Sequence, residues 1–566
     1  MDLHLTADRA TEVERDAIDA TLARVGPAGR DKLLPVLHAI QSRVGFISLG
    51  AVNYAAEQFD VAPAEIHGVA AFYGMFKLAP HPPVVAHVCD DIACLARGAG
   101  QLCDALKGAE WPEGTTWQRS SCLGLCERAP AALIVAAGGA PRERVLAPAS
   151  LDGIQSLVGG PLPDEPDVPA SFHSSCRMQP GEGLRRAVEM GPEGVVREVI
   201  ESRLVGRGGA AFPTGKKWEA LLKQRRPGCT HYVICNADES EPGTFKDRVV
   251  MESDPFAVIE GMAIAAFATG ASKGYFYIRG EYPLAVRCVR QAIDRARSQG
   301  WLGENLLGSG FTFDIELRRG AGAYICGEET ALFNSIEGYR GEPRNKPPFP
   351  TQAGLFRQPT VVNNVETLIN IPKIILEGGA AYARTGTEVS TGYRLFCLSG
   401  HIARPGVYEV EFGATLRDVI ELGGGIGGNG RLQAVLLGGA AGTFVSPAEL
   451  DTPLTFEGTR AVGATLGSGV IMPFDDSADL KRILLRIAEF FREESCGQCV
   501  PCRIGAVRQE EALERLIRRR PLGSVAGEIA ALKEMGQAMR DASICGLGQT
   551  ASSAVESALK RWSLFA

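Results

Sequence analysis

Hydrophobic and polar positions in the first part of the chain recur at helical spacing. Residues 10–78 carry this period in several short pieces, and Leu33, Leu34, Leu37 and Ile40 are spaced to line one helix face. We therefore expect a small helical lead-in at this end of the chain.

A different pattern begins after the lead-in. Val84–Val88 is typical of a strand, and a helix to about Lys107 follows it. Further strands are predicted near Thr115–Gln118 and at Ala131–Ala136. This order of elements indicates a small α/β unit.

Three more patterns occupy the rest of the chain. Strand-like and helical segments alternate from about residue 182 to 379, which predicts an α/β domain containing the short buried strand Tyr232–Cys235. Short strands with turn signals between 391 and 467 predict a β-rich module, and the chain is helical from Ser477. The first C-terminal helix has an amphipathic stripe made of Leu480, Ile483, Leu484, Ile487 and Phe490.

A linker separates the first two of these units. Pro161–Pro169 is rich in proline and acidic residues, which is typical of a connection between domains. The predicted boundaries are 1–160 for the lead-in with the small α/β unit, 161–180 for the linker, 181–385 for the large α/β domain, 386–472 for the β-rich domain and 473–566 for the helical domain.

Composition and charge narrow the possible classes of protein. With 566 residues the chain is too long for one core, and 45% hydrophobic with 22% charged residues is ordinary for a globular protein. A net charge of −7 argues against nucleic acid as a partner. The N-terminus lacks the features of a signal peptide, and Glu260 interrupts the apolar run Phe256–Gly270. We expect a cytoplasmic protein with no direct membrane insertion.

Fifteen cysteines in a cytoplasmic chain indicate metal sites when their spacing agrees. Cys89 and Cys94 form a C-x4-C pair, and Cys122 and Cys126 form a C-x3-C pair on a second loop of the small α/β unit. This arrangement favours a [2Fe–2S] cluster, with structural zinc and unligated core cysteines as alternatives. Cys103 lies outside both pairs, and its helical spacing predicts a packed core thiol.

A second cysteine group lies in the helical domain. Cys496, Cys499 and Cys502 form C-x2-C-x2-C, and Cys545 arrives later in the run Ser543–Gly548. Three closely spaced thiolates with one remote partner indicate a [4Fe–4S] cluster, and zinc is a poor competitor on this spacing.

Two glycine-rich or acidic segments organise the large α/β domain. Leu204–Trp218 contains Gly206, Gly208 and Gly209, which allow backbone amides to approach a phosphate ahead of a helix N-terminus. Cys235–Arg248 places Asn236, Asp238, Glu239 and Glu241 on the loop after a strand. Neither segment is a Walker A loop or G-x-G-x-x-G, and Gly423–Gly428 fits that last motif only formally, since a helix-like run precedes it. Either segment alone could equally be a solvated surface turn.

Three further stretches carry candidate binding residues. Arg319–Thr330 brings a glycine run before Glu328 and Glu329, Arg344–Pro350 holds Lys346 and Phe349 in a proline-rich extended segment, and Pro359–Thr367 puts Asn363 and Asn364 at a strand end. Taken singly, each also has a structural explanation, such as an acidic first turn of a helix.

From Ser171 to the C-terminus the chain resembles the flavoprotein subunit of complex I and its relatives in NAD-dependent formate dehydrogenases and NAD-reducing hydrogenases. Residues from Met1 to about Gly160 resemble the smaller thioredoxin-like subunit of the same systems. The resemblance implies a multidomain α/β protein with a thioredoxin-like [2Fe–2S] domain, an FMN-binding α/β domain, a ubiquitin-like β-grasp domain and a C-terminal helical bundle with a [4Fe–4S] cluster.

The resemblance also implies specific ligands. FMN would be held by Gly206, Arg207, Gly208, Lys217, Asn236, Asp238, Glu239, Ser240, Tyr324, Gly327, Glu328, Asn363, Asn364 and Thr367. NAD(H) would be held by Phe212, Lys346, Phe349 and the candidate catalytic carboxylates Glu241 and Glu329. One position departs from the family, because Ala220 stands where an aromatic residue often forms a second wall for the adenine.

The activity implied is that of a diaphorase, which exchanges a hydride between NAD(H) and FMN and passes single electrons through its clusters. The complete set of four thioredoxin-domain cysteines and the run Met539–Gln549 most resemble the β subunit of a molybdenum- or tungsten-dependent formate dehydrogenase, whose catalytic subunit carries further iron–sulfur clusters. A hydrogenase or complex I-like diaphorase is the alternative, and a non-enzymatic iron–sulfur scaffold or sensor, or a zinc-based interaction module, represents another class.

Overall fold

The computed structural model describes residues 6–27, 29–160, 179–225 and 228–565, so nearly all of the predicted linker at 161–180 lies outside the described residues. The predicted helical lead-in is confirmed. Its helices are α1 (Glu12–Val25), α2 (Leu33–Val44), α3 (Leu49–Phe59) and α4 (Pro63–Phe72). Leu33, Leu34, Leu37 and Ile40 are all buried on one face of α2, as their spacing predicted.

The small α/β unit forms a mixed sheet in the order β2–β1–β3–β4. Strand β1 pairs parallel with β2 and antiparallel with β3, so the loops that follow β1 and β2 meet at one edge. The strands are β1 (Val84–Cys89), β2 (Thr115–Ser120), β3 (Ala132–Ala136) and β4 (Arg142–Leu146), and the helices are α5 (Ile92–Ala96), α6 (Ala99–Gly108) and α7 (Leu151–Val158). Cys103 is fully buried against Ala86 and Leu106, which confirms its predicted place in the core.

The large α/β domain is built on a parallel sheet in the order β7–β6–β5–β8. Apolar helix α12 packs across this sheet with all of its later turns buried. The elements in chain order are α8 (Glu182–Met190), α9 (Pro192–Glu201), α10 (Thr214–Leu222), β5 (Tyr232–Ala237), α11 (Lys246–Ser253), α12 (Pro255–Thr269), β6 (Lys273–Ile278), α13 (Pro283–Ser298), β7 (Asp314–Arg319), α14 (Glu329–Ile336), α15 (Pro350–Ala353), β8 (Thr360–Asn364), α16 (Val365–Glu377) and α17 (Gly379–Tyr382).

The β-rich module is a mixed sheet in the order β10–β9–β13–β11–β12. Its last strand runs to Asp475 and so continues past the predicted domain boundary at residue 472. The elements are β9 (Tyr393–Leu398), β10 (Gly406–Glu411), α18 (Leu416–Leu422), β11 (Leu432–Leu437), β12 (Thr443–Val445), α19 (Phe456–Ala461) and β13 (Val470–Asp475).

The C-terminal region is helical from Leu480, as predicted. The amphipathic stripe of α20 is buried along its whole length. The helices are α20 (Leu480–Glu493), α21 (Val500–Ile517), α22 (Val525–Ala542), α23 (Gly546–Thr550) and α24 (Ser553–Arg561). Within the described residues, no helix is long and apolar enough to cross a membrane.

The lead-in docks on the large α/β domain through charged and backbone contacts. Arg318 pairs with Asp31 at 3.0 Å, and the ring of His38 lies 2.9 Å from the carbonyl of Gly320. One buried apolar cluster also joins the lead-in, the large domain and the C-terminal helices. These segments therefore share a core and hold fixed positions relative to one another.

Candidate functional site

A cavity of about 890 Å³ opens at the carboxyl ends of the parallel strands β5 and β8. We call it the central cavity. Loops at this edge of an open parallel sheet are where such folds bind ligands. The structure brings nearly all of the predicted cofactor-binding residues to its wall, namely Gly206, Gly208, Phe212, Lys217, Asn236, Asp238, Glu239, Ser240, Glu241, Tyr324, Gly327, Glu328, Glu329, Lys346, Phe349, Asn363, Asn364 and Thr367.

The glycine-rich loop before α10 forms one wall. A side chain at Gly208 would place its Cβ 3.1 Å from the Cβ of Asn364, so only glycine leaves this close approach open. The first residues of α10, Thr214 and Lys217, also line the cavity. Lys217 donates to the carbonyl of Val362 over 3.0 Å, and burial lowers its pKa. A helix N-terminus with a lysine one turn inside suits a phosphate group.

Polar groups on the opposite wall lack protein partners. Asp238 Oδ2 and Asn363 Nδ2 are buried without a hydrogen bond, and both residues line the central cavity. Burial raises the pKa of Asp238 well above its usual range. Buried polar atoms are normally satisfied, so an unpaired acceptor and donor facing one cavity indicate a polar ligand. Their chemistry fits the heteroaromatic edge of a flavin.

Two of the predicted carboxylates serve the backbone as well as the cavity. Glu239 accepts from the N–H groups of Asp247 and Arg248, both at 2.9 Å, at the start of α11. Burial, with the neighbouring charge of Asp247, raises the pKa of Glu239 to about 8. Glu328 is the N-cap of α14 and accepts from Thr330 and Ala331. The alternative of an acidic first turn is therefore correct for Glu328, although the residue also lines the cavity.

Glu241 is held by the β-rich module. One of its oxygens accepts from the N–H of Ala441 at 2.9 Å, and the other accepts from the hydroxyl of Ser468 at 2.7 Å. Burial raises the pKa of Glu241 to about 7, although these two hydrogen bonds oppose the shift. The residue thus changes charge near neutral pH at the wall of the cavity.

Lys346 and Glu329 lie at the more open end of the cavity. Lys346 Nζ lies 2.9 Å from Glu328 and 2.8 Å from Glu329. The rings of Phe212 and Phe349 are each 54% exposed although they line the cavity, which leaves two apolar faces free for a planar group. Ala220 lines the same region without a ring.

The side chain of Arg207 does not reach the cavity, which corrects its predicted role in flavin binding. Its guanidinium is fully buried, donates to the carbonyl of Thr391 at 2.8 Å and lies over the ring of Phe412. Its backbone N–H donates to Thr367 Oγ1 at 2.9 Å. Arg207 therefore fixes the glycine loop against the β-rich module, and only its neighbours face the ligand.

Several lining residues were missed by sequence reasoning. Lys246 and Asp247 lie at the start of α11 and form an ion pair at 2.7 Å. Gly546 and Leu547 reach the cavity from the C-terminal domain. The Lys246–Asp247 pair could have been found from its place in the acidic segment, whereas nothing in the sequence brings Gly546 and Leu547 to this sheet.

The four C-terminal thiols converge beside the central cavity. Cys499 and Cys502 lie at the start of α21, and Cys545 immediately precedes α23. A Cβ on Gly548 would lie 2.8 Å from the Cβ of Cys502, so these two loops are in close contact. Burial raises the pKa of Cys545 to about 12, with the neighbouring charges of Cys496 and Cys502 adding to the shift. Four clustered thiols fit an iron–sulfur cluster, which stabilises their thiolate forms.

The first cysteine group is buried at the edge where β1 and β2 end. Cys122 Sγ lies 3.5 Å from Cys126 Sγ, and the thiol of Cys89 bonds to those of Cys94 and Cys122. Hydrogen bonds from Cys126 and Cys89 lower the pKa of Cys122. In the described ranges, no three or more His, Cys, Asp or Glu side chains are arranged to hold a single metal ion, so the zinc alternatives gain no support.

Comparison with known proteins assigns these parts to described families. Residues 199–373 match the Nuo51 FMN-binding domain, and residues 18–138 match a thioredoxin-like [2Fe–2S] ferredoxin. Residues 395–441 match an SLBB domain, and residues 482–564 match the NADH-ubiquinone oxidoreductase-F iron–sulfur binding region. An F-type NADH-quinone oxidoreductase polypeptide of Rhizobium meliloti is 44% identical over 403 residues, which are 70% of this chain and 94% of that protein. The chain belongs to this family of flavoproteins.

Other members of the family come from different enzymes. The NADP-reducing hydrogenase subunit HndC of Solidesulfovibrio fructosivorans is 44% identical over 383 residues, covering 68% of this chain and 77% of that protein. A crystal structure of an NAD⁺-reducing [NiFe]-hydrogenase in the H₂-reduced state superposes over 95% of this chain and 92% of that chain, with a TM-score of 0.82 and 32% identity. The likeness to the hydrogenase chain includes the lead-in and the thioredoxin-like domain.

The cofactors of this flavoprotein are therefore FMN, NAD(H), a [2Fe–2S] cluster and a [4Fe–4S] cluster, and the residues described above fit each of them. The fold predicted from the resemblance is confirmed. The chain is an NAD(H)-linked oxidoreductase subunit that transfers electrons through FMN and iron–sulfur clusters. FMN, when bound, supplies the step between two-electron hydride exchange and one-electron transfer.

Proposed function

We propose that this chain is the NAD-reducing β subunit of a molybdenum- or tungsten-dependent formate dehydrogenase. Its partner is a catalytic subunit that oxidises formate and carries further iron–sulfur clusters. The observation that supports the diaphorase part is the contact of Leu547, two residues after Cys545, with the cavity that the predicted FMN and NAD(H) residues line. The formate assignment is supported by the complete cysteine set of Cys89, Cys94, Cys122 and Cys126 and by the run Met539–Gln549.

The residues of the central cavity divide the work of binding. The glycine loop and the start of α10, with Lys217, take the flavin phosphate, and Asp238 and Asn363 read the polar edge of the ring. Phe212 and Phe349 offer apolar faces to the adenine of NAD(H). These polar contacts keep the nicotinamide and flavin rings aligned, which hydride exchange requires.

The carboxylates near the reacting rings tune the site. Glu241 is held by Ala441 and Ser468, so its charge stays at one place on the cavity wall. A fixed negative charge disfavours added electron density on a nearby ring, whereas its protonated form does not. Glu329 pairs with Lys346 and lies 4.0 Å from Lys217, so it balances the cations that meet the dinucleotide.

The experiment that tests the proposal is purification of the native complex with this chain and identification of its partners. The complex is expected to reduce NAD⁺ with formate, while the isolated chain oxidises NADH with artificial acceptors and ignores formate. A flavin absorption band that fails to bleach on NADH addition would contradict the diaphorase part and support a non-enzymatic scaffold.

A second candidate is the diaphorase subunit of an NAD-reducing hydrogenase. The nearly full-length likeness to the NAD⁺-reducing [NiFe]-hydrogenase chain, over 95% of this chain, favours it. Hydrogen-dependent NAD⁺ reduction by the purified complex would select this candidate over formate dehydrogenase. Copurification with membrane subunits of an NADH-quinone oxidoreductase would select a complex I-like role instead.

A further inference from the structure

Arg279 is a buried arginine that contacts two functional loops at once. It follows β6, and its side chain is 2% exposed. Nη1 donates to the backbone carbonyl of Glu239 over 2.6 Å, and Nη2 donates to the backbone carbonyl of Cys122 over 2.5 Å. Glu239 lines the central cavity, and Cys122 is a candidate ligand of the [2Fe–2S] cluster. One guanidinium therefore joins the two redox sites.

The charge of Arg279 is compensated on the side away from the cysteine loop. Glu281 accepts from Nη2 at 2.8 Å and from Nε at 3.2 Å, and the ring of Tyr282 lies 4.9 Å from the guanidinium carbon. The cation, not the carboxylate, makes the bond to Cys122. Because the pair is buried, its electrostatic effect on the loop is screened less than that of a surface pair.

The cysteine loop fits closely against this side of the large domain. Arg248 Nε donates to the carbonyl of Gly124 at 2.9 Å, while its backbone N–H donates to Glu239. Gly124 has φ of +65°, and a Cβ there would lie 2.0 Å from the hydroxyl of Tyr282. The loop has no room to shift away from Arg279, so the bond to Cys122 is a fixed feature of the site.

We propose that Arg279 is a positioning residue that sets the reduction potential of the [2Fe–2S] cluster and holds it against the loop of Glu239. Reduction of the cluster adds one electron, supplied in turnover by NADH, without forming or breaking a bond. The added negative charge is stabilised by a cation bonded to the backbone of a ligand, which raises the potential. The inference rests on the diaphorase part of the proposed function and is independent of the partner.

The test is the midpoint potential of the [2Fe–2S] cluster, measured by EPR during a titration of the holoenzyme with dithionite and mediators. Arg279→Gln is expected to lower the potential, and Glu281→Gln is expected to raise it. Arg279→Lys retains the charge and is expected to stay closer to the wild-type potential. The double variant Arg279→Gln with Glu281→Gln leaves no unpaired buried ion and is expected to fall between the single variants.

Arg30→Gln provides the matched control. Arg30 also joins the N-terminal part of the chain to the large domain, through the carbonyl of Gly338 and the ring of Tyr339, and it makes no bond to a cysteine loop. Its variant is expected to keep the wild-type potential. An unchanged potential in Arg279→Gln with an intact cluster signal, or shifts of the same sign in Arg279→Gln and Glu281→Gln, would overturn the proposal.

The same samples separate this inference from the proposed function. The dithionite titration does not depend on NADH, whereas bleaching of the flavin band by NADH reports the diaphorase reaction. Failure of NADH to bleach the wild-type flavin would reject the proposed function. The potentials would still decide the role of Arg279.

Discussion

The carboxylate of Glu494 accepts a 2.8 Å hydrogen bond from the backbone N–H of Tyr324. Tyr324 lines the central cavity, and Glu494 stands two residues before the cluster cysteine Cys496. Leu547 provides a second tie, because it follows Cys545 and also lines the cavity. The [4Fe–4S] loops are therefore fixed against the flavin site from two sides, and electron exchange between them requires no movement of a domain.

This arrangement predicts the effect of Cys496→Ser. A hydroxyl is a harder ligand than a thiolate and binds iron of a cluster poorly, while the cavity residues on β5 and β8 are untouched. We expect NADH oxidation with an artificial acceptor to persist and transfer to the natural partner to fall at least about tenfold. Steady-state assays with both acceptors measure the difference.

The matched control for Cys496→Ser is Cys103→Ser, at a cysteine that lies in the core outside both groups. It is expected to keep the iron content and the EPR signals of both clusters. Normal electron transfer to the partner in Cys496→Ser would contradict the assignment of this thiol as a ligand.

Gly338→Ala is predicted to loosen the N-terminal lead-in. Gly338 has φ of +81°, and a Cβ there would lie 2.0 Å from the carbonyl oxygen of Arg30. Both the strained backbone and the clash oppose docking of the lead-in, at a cost of about 1 kcal/mol for the backbone alone. Limited proteolysis should cut the lead-in faster than in the wild type.

Gly303→Ala separates the two effects. Gly303 also has a positive φ, +98°, but a Cβ there would meet nothing within 4 Å. The variant carries the backbone strain without the clash. Equal proteolysis of the lead-in in both variants would show that the contact with Arg30 does not hold it.

The sequence predicted the cysteine groups because local spacing and strand order decide them. Cys89 and Cys122 each follow or end a strand of one sheet, and parallel neighbours bring such loops together. Arg207 shows the limit. Its guanidinium bonds to the carbonyl of Thr391, 184 residues away, and no local pattern records that contact. The approach of Leu547 to the central cavity depends in the same way on packing between domains.

Lys246→Met is predicted to destabilise the large α/β domain strongly. The ammonium is 1% exposed and lies 2.7 Å from Asp247 and 3.1 Å from Glu366. Removing it leaves two buried carboxylates without their cation, which costs about 3 to 5 kcal/mol. The loss should appear as a lower melting temperature of the first thermal transition.

A double variant tests the reason for that loss. Lys246→Met with Glu366→Gln removes one of the unpaired carboxylates and should recover part of the melting temperature. No recovery would mean that packing, and not buried charge, explains the effect of Lys246→Met.

Glu241→Gln is predicted to change the pH dependence of stability and the flavin site together. The carboxyl has a folded pKa of about 7 against an ordinary value of 4.5, because it is buried. The folded protein then binds the proton more tightly than the unfolded chain does. Its stability is highest below about pH 4.5 and falls as the pH rises to about 7, by up to roughly 3 kcal/mol.

The amide variant cannot ionise, so it lacks this loss. In flavin-free protein, the wild type and Glu241→Gln should melt at similar temperatures near pH 5, and the variant should be the more stable of the two near pH 8. In the holoenzyme, removal of the charge should also shift the flavin potential or the KM for NADH, since Glu241 lines the central cavity. A variant that changes only the melting temperature would assign Glu241 the structural task of holding Ala441 and Ser468 against the large domain.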